Sequence, residues 1–328
     1  MLILKNHHPA RGELNGSTKV ITPDEASRAD IRALRLGVLN LMPVMDETEK
    51  DILRCISHSI LQIEPVWITI ATREKTGKHT PLEHIHQFYL TMEEATQEGN
   101  LDGLIVTGAP IETIPFQEVT YWDELCQIME YAREHIYSTL FLCWSAMAAV
   151  YYFYGIEKNS YTTKLCGIFP LHNVQGDSNT FSRGMDDVVD ICQSRYTGID
   201  LVTFQQQVDA GTLVPLFTSE ERPESLRGSE IGVTVCAESD KSALYNLGHF
   251  EYHEGTINQE VQRDLRKNPP LQYPVEHYYS DPEHRLGLPP MTWKASRTLF
   301  YSNFLNVIYQ RMNEKSKTKT PFILKTSQ

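Results

Sequence analysis

Four times in the first half of the chain a short apolar run leads into a stretch of helical character. This alternation constrains the fold more than any other feature of the sequence. "RLGVLNLMP" (35–43) precedes "DETEKDILRCISHSI", and "QIEPVWITIAT" (62–72) precedes "TPLEHIHQFYLTMEEATQE". "LDGLIVTGAP" (101–110) precedes "TYWDELCQIMEYAREHI", and "YSTLFLC" (137–143) precedes "SAMAAVYYFYG" (145–155). A strand covered on both faces reads as an unbroken apolar run, and the helix after it carries the chain back to the same end of the sheet. The pattern predicts an α/β fold, an open parallel sheet with helices on both faces. Asp46 and Glu49 have the spacing of a capping box, ahead of an apolar stripe at Ile52, Leu53, Ile56 and Ile60. Pro65 favours the start of its strand or a sheet edge. Gly155 is a natural helix stop.

The second half is less regular. "KLCGIF", "IGVTVCAES" and "SALYNLGHF" read as strands, and "TINQEVQRDLRK" as a helix beginning near Thr256. "NPPLQYPVEHYYSDPEHRLGLPP" reads as irregular chain, and "SRTLFYSNFLNVIYQRMNE" as a final helix with a frayed tail. No repeat or Gly/Ser linker interrupts the sequence. The expectation is one domain over 1–312 with irregular excursions, then a polar tail over 313–328.

Net charge narrows the function. At −12 the protein lacks the basic face that broad nucleic-acid or anionic-membrane binding requires, although a local pocket for an anionic substrate remains open. No apolar run reaches the roughly 18 residues of a membrane span. The first residues, "MLILKNHHPARGEL", are too polar for a signal peptide. Cys55, Cys126, Cys143, Cys166, Cys192 and Cys236 form no CxxC pair, so reduced thiols and a cytoplasmic location are expected. "HHP" at 7–9 and "EHIH" at 83–86 match no metal-ligand spacing, and no metal is expected.

Cys143 is the candidate nucleophile. It ends a strand and immediately precedes a helix, the placement of a nucleophile elbow, and Ser145, Ala146 and Ala148 are small enough for the tight turn. The helix N-terminus favours thiolate over thiol. A buried core cysteine remains the alternative for this segment alone. "YNLGHFEYHEG" (245–255) offers His249 at a strand end as a base, with Glu251 two residues on to fix its tautomer. "VTGAP" lets backbone approach a reacting carbonyl at Gly108 and Ala109. An N–H from that pair and the N–H of Trp144 are candidate oxyanion donors; a plain Gly-Pro turn is the alternative.

Taken together, these residues resemble class I glutamine amidotransferases: a glycine turn after a strand, an elbow cysteine, then His-x-Glu. That resemblance implies a flavodoxin-like sheet. The closer resemblance is to the homoserine O-acyltransferases, the homoserine transsuccinylase family. It runs through "GVLNLMPVMDETEKDILR", "DGLIVTGAPIE", "YWDEL", "STLFLCWSAMAA", "YGIEK", "GHFEYHEGTINQEVQRD" and "WKASRTLFYSNFLN". It implies ping-pong acyl transfer from acyl-CoA to an amino-acid hydroxyl. Cys143 would carry the acyl group, His249 would move the protons and Glu251 would orient His249. No bound cofactor is implied.

Members similar in having Glu just after the "GAP-x" turn use acetyl-CoA, and those with Gly there use succinyl-CoA. Glu112 occupies this position, where its carboxylate would repel a succinyl carboxylate, so acetyl-CoA is the expected donor. Lys164, Ser194 and Arg263 match the family's acceptor-site residues, and a guanidinium suits an α-carboxylate. Glu260, three residues before Arg263, would meet the α-ammonium or brace Arg263. Lys164 and Ser194 also admit plain surface and loop readings.

Four stretches depart from the family pattern. Pro170 and Leu171 replace Glu-His, "ICQSRY" replaces a Pro-His before Ser-Arg-Tyr, Phe250 and His253 replace Pro and Asp, and "WKASR" lacks the usual Ser-His. Read as changes in the lining of the site, they leave L-serine open beside L-homoserine, since one methylene is worth only about 1–3 kcal/mol in a pocket; L-homoserine is favoured as the commoner acceptor that the resemblance implies, and succinyl transfer to it is a further alternative. A glutamine-splitting hydrolase and a non-catalytic binding protein are the other classes considered. A homodimer is the expected assembly.

Overall fold

The computed structural model describes residues 1–14, 18–28, 32–72, 79–314 and 320–325. Its strands are β1 (Leu2–Ile3), β2 (Val20–Ile21), β3 (Leu34–Leu39), β4 (Ile63–Ile68), β5 (Tyr89–Leu90), β6 (Gly103–Val106), β7 (Ser138–Leu142), β8 (Lys158–Asn173), β9 (Val188–Ile199), β10 (Leu213–Ser219), β11 (Gly232–Glu238) and β12 (Ala243–Asn246). They form one sheet in the order β2-β1-β4-β3-β6-β7-β12-β11-β10-β8-β9, with β5 paired to β4. Every pairing from β2 to β12 is parallel. From β12 onward every pairing is antiparallel. The sheet is therefore open, as the alternation predicts, but only its first half is parallel. The β8–β9 hairpin and β10 extend it in the other sense.

The two faces feed two cores. Leu140 and Leu142 point to one, with Leu36, Val38, Phe300 and Phe304. Phe141 points to the other, with Val106, Tyr245, Met147 and Ala148. Successive strand residues alternate faces, so one apolar run supplies both layers. Burying such a side chain fully contributes about 1.5–3 kcal/mol. The helix Trp144–Tyr154 lies flat on the sheet because Ala146, Ala148 and Ala149 are fully buried, and Gly155 ends it in the left-handed conformation at φ 65°.

Three local expectations differ. The helix Met45–Ile56 starts with Val44 at its N-cap and has no side-chain cap. Glu49 cannot reach back to Asp46, because its carboxylate is drawn into the core by His84 Nε2 (2.7 Å) and Tyr89 Oη (2.7 Å). The stretch 80–98 forms two helices, Leu82–Phe88 and Met92–Glu98, the second restarted by a Thr91–Glu94 capping box. The tail does not simply fray. Phe322 is 4% exposed, and its N–H donates to Thr96 Oγ1 (2.9 Å). Residues 315–319 and 326–328 of the expected tail lie outside the described residues. Among the described residues no helix is long and apolar enough to cross a membrane, and all six cysteines are free thiols.

Candidate active site

The elbow is built at the carboxyl ends of β6, β7 and β12. Cys143 has φ 51° and ψ −114°, a left-handed conformation that costs a non-glycine residue about 1–3 kcal/mol and persists only where its surroundings enforce it. Here they do. Cys143 N–H donates to the Asn246 carbonyl (2.7 Å). The Ser145 hydroxyl accepts Leu142 N–H (3.0 Å) and donates to the Val106 carbonyl (2.8 Å), which ties the turn to β6. Sequence reasoning valued Ser145 only for its size; it is also a brace. Trp144 is the first helical residue, so its N–H has no acceptor inside the helix. Gly108 lies against the turn, and a Cβ there would stand 3.2 Å from Cys143 Cβ and 3.8 Å from Trp144 N. Gly108→Val is expected to displace the elbow and lower kcat/KM by about 10²-fold, a loss typical of misplacing reacting groups. Steady-state kinetics beside a thermal melt check this, since the fold should survive.

The base arrives on the neighbouring strand. Leu142 of β7 pairs with Asn246 of β12, so the chain leaves both strands at the same level. Gly248 passes so close to β9 that a Cβ would stand 3.1 Å from the Cys192 carbonyl. His249 N–H donates to that carbonyl (2.8 Å). Its Nδ1 meets Glu251 Oε1 at 2.6 Å, and its ring stacks on Tyr252, centroids 4.0 Å apart. Nε2 is the nitrogen left for Cys143, whose sulfur acts on the ring; it is buried, and among the described residues no directed hydrogen bond occupies it. Burial works against charging this ring, but the Cys143 sulfur and the Glu251 carboxylate outweigh it. His249 therefore holds a proton well above the ordinary histidine range. Tyr252, the immediate neighbour of Glu251, had no distinguishing signal in the sequence.

Beside this pair opens a cleft of ≈ 260 Å³, lined among others by Gly108, Leu142, His249, Glu251, Glu260 and Arg263. A buried ion network forms one side. Lys164 of β8 puts Nζ 2.9 Å from Glu260 Oε2 and 3.5 Å from Asp264 Oδ2. Ser194 of β9 donates to Glu260 Oε2, and Tyr252 Oη donates to Oε1 (2.7 Å). Burial would raise the Glu260 carboxyl, but Lys164, Ser194 and Tyr252 hold it down at about 2. Glu260 thus spends its lone pairs on Lys164, Ser194 and Tyr252 rather than on Arg263. The Arg263 side chain is 56% exposed, and its Nε meets Asp264 Oδ1 at 3.3 Å, leaving most of the guanidinium to the cleft. Glu112 is half-buried on the turn after Ala109. Burial raises its carboxyl, Glu260 acting with the rise and Lys164 and His249 against it, but it is not among the residues that line this cleft.

The family model for homoserine O-succinyltransferase matches residues 1–314. The chain belongs to the homoserine O-succinyltransferase family. It is an acyltransferase. It is 39% identical over 311 residues to a homoserine O-acetyltransferase of Desulfovibrio desulfuricans, covering 93% of this chain and 89% of that protein. It is 37% identical over 310 residues to one of Lachnoclostridium phytofermentans, covering 94% and 97%. A solved glutamine amidotransferase from Thermotoga maritima superposes with a TM-score of 0.52 at 15% identity, over 87% of this chain and all of that one. This likeness concerns the fold.

The family makes the departing stretches informative. Leu171, Cys192, Gln193 and Phe250 are fully buried. Leu171 and Phe250 belong to one apolar core with Phe217 and Phe300. Gln193 binds Arg195 and Thr234. Of the replaced positions only His253 lines the cleft. Reading these changes as a rebuilt acceptor pocket is therefore corrected: most repack the layer behind the site.

Proposed function

We propose that the protein transfers an acetyl group from acetyl-CoA to the side-chain hydroxyl of L-homoserine through a thioester on Cys143. The observation that carries this reading is the His249 ring, fixed by Glu251 through Nδ1 and left with Nε2 for a strained elbow cysteine. The names of the relatives support the acetyl donor and the homoserine acceptor.

In the first half-reaction His249 Nε2 takes the thiol proton as Cys143 Sγ attacks the acetyl carbonyl. The N–H groups of Trp144 and the Gly108–Ala109 turn face the oxygen as it gains charge. The C–S bond to CoA breaks, and the departing thiolate takes the proton from the imidazolium. In the second, the acceptor hydroxyl gives its proton to Nε2 and its oxygen attacks the thioester. The C–S bond to Cys143 breaks as the imidazolium returns its proton to Sγ, leaving the O-acetyl product, the Cys143 thiol and a free Nε2 for the next donor. Arg263 is the group for the acceptor's α-carboxylate, and Lys164, Ser194 and Glu260 build the wall on which it sits.

Glu112 sets the donor. A second carboxylate facing it costs several kcal/mol, so Glu112→Gly is expected to raise succinyl-CoA use relative to acetyl-CoA by about 10²-fold. Because burial raises the Glu112 carboxyl, its charge disappears at a higher pH than that of an exposed glutamate. Discrimination against succinyl-CoA should therefore weaken as pH falls through that raised value, and should be flat with pH in Glu112→Gln. The test of the whole reading is CoA release from acetyl-CoA and succinyl-CoA, each with L-homoserine, L-serine or glutamine. Release with acetyl-CoA and homoserine is expected. Glutamine hydrolysis without any acyl-CoA, or faster acetylation of serine, would overturn the assignment.

A further inference from the structure

Tyr252 lies between the base and the acceptor wall and meets both. It lines the cleft with His249, Glu260 and Arg263. Its ring stacks on the His249 imidazole, with centroids 4.0 Å apart and planes 18° apart. Its hydroxyl donates to Glu260 Oε1 (2.7 Å). Further contacts hold it in this place. Its carbonyl accepts a hydrogen bond from Trp293 Nε1 (2.8 Å). The ring shares a small core with Ile257, Val261 and Trp293, and only 9% of the residue is exposed.

The two ends of the side chain have different work. Glu251 holds His249 at one point, Nδ1. A single hydrogen bond selects the tautomer but leaves the ring free to tilt about it, so the aim of Nε2 depends on what lies against the ring face. Tyr252 covers that face, and the stacked geometry fixes the plane. At the other end, Glu260 Oε2 is taken by Lys164 and Ser194, and Oε1 is turned to Tyr252. A hydrogen bond to a charged acceptor is among the stronger ones, and a buried acceptor left without its donor is costly. Without the hydroxyl the Glu260 carboxylate is free to rotate. Glu260 lies one turn before Arg263 on the helix Thr256–Leu265, so that rotation disturbs the surface on which the acceptor is held.

We propose that Tyr252 is a positioning residue for both half-reactions: its ring fixes the plane of His249, and its hydroxyl fixes Glu260 beside Arg263. Base and acceptor wall are thereby set in one register by one side chain. A phenylalanine would perform the first task and not the second. A flexible aliphatic side chain would perform neither.

This inference rests on the acyl-transfer reading of the site. In a ping-pong reaction kcat/KM for each substrate reports its own half-reaction, so the two tasks are measured apart. Tyr252→Phe keeps the ring. Its kcat/KM for acetyl-CoA should stay within about twofold of native, and its kcat/KM for L-homoserine should fall about tenfold, the loss of one hydrogen bond to a charged group. Tyr252→Met keeps most of the volume and removes both functions. Its kcat/KM for acetyl-CoA should fall about 10²-fold, the scale of a misaimed reacting group, and that for homoserine at least as far. Iodoacetamide alkylation of Cys143, followed on its peptide with no substrate present, should be native in Tyr252→Phe and slower in Tyr252→Met. Equal losses for the two substrates in Tyr252→Phe are what a merely structural role would give, and they overturn the proposal. So does an unchanged kcat/KM for homoserine in that variant, which decides the matter even where Tyr252→Met fails to fold. Native acetyl-CoA kinetics in a folded Tyr252→Met overturn it as well. If the native protein forms no acetylated Cys143, the acyl-transfer reading fails on its own, and a native alkylation rate in Tyr252→Met would then be the result that removes Tyr252 from the positioning of His249.

Discussion

Cys143→Ala should lower kcat for acetyl transfer by about 10⁶-fold, as removal of a nucleophile does in other triads. Stability should change by no more than about 1 kcal/mol, because the substitution removes one sulfur from a buried turn and leaves its bracing bonds in place. Those bonds run through the backbone N–H of residue 143 and the hydroxyl of Ser145, not through the thiol. His249→Gln should cost nearly as much, and the double variant little more than either single one, since the members of such a unit do not add. Single-turnover measurement of CoA release, with circular dichroism to confirm the fold, checks all three. Residual turnover above about one thousandth of the native rate in Cys143→Ala would mean that the hydroxyl attacks acetyl-CoA directly.

The second large effect is on stability. Lys164 is 4% exposed and is the buried cation of the Glu260–Asp264 network. Lys164→Met strands the Glu260 charge, and breaking a buried pair from one side costs about 3–5 kcal/mol. The sign of its pH dependence follows from Glu260. Its folded carboxyl is held at about 2, below the ordinary value of 4.5. The native protein therefore carries a stabilising contribution above pH 4.5 that is lost as pH falls toward 2. In Lys164→Met burial is no longer opposed by the ammonium, and Glu260 takes a proton at higher pH. The difference between the two proteins should be greatest near neutrality and shrink in acid, and Glu260→Gln should recover much of the loss in the variant. Denaturant unfolding at pH 7 and pH 4 measures this. An equal difference at both values would show that the ion network is not the cause.

How far the sequence exposes these features depends on where each residue's partners lie. β3, β6 and β7 are covered on both faces, so their apolar runs stand out against the helices between them. β8 is 16 residues long, yet only "KLCGIF" was legible, because its first half is exposed and a register irregularity separates Ser160 from Leu165. β9 and β10, with the helix Leu201–Asp209 between them, left no comparable run. At the site, Cys143 and His249 could be found because strand ends announce them. The resemblance pointed to Lys164, Ser194 and Arg263, and helix spacing pointed to Glu260; Tyr252, the third donor to Glu260, carried no signal. Only packing reveals that Trp293 and Phe300 clamp the loop that carries His249 and Glu251.

The central claim is a covalent acetyl-enzyme at Cys143. The most direct measurement is the mass of the peptide carrying Cys143 after brief mixing with acetyl-CoA and acid quench, with and without L-homoserine. The account predicts one added acetyl group on that peptide without acceptor, lost on adding homoserine as O-acetylhomoserine appears. Acetylhomoserine formed at full rate with no acetyl ever found on Cys143, or with the acetyl on another residue, would contradict it.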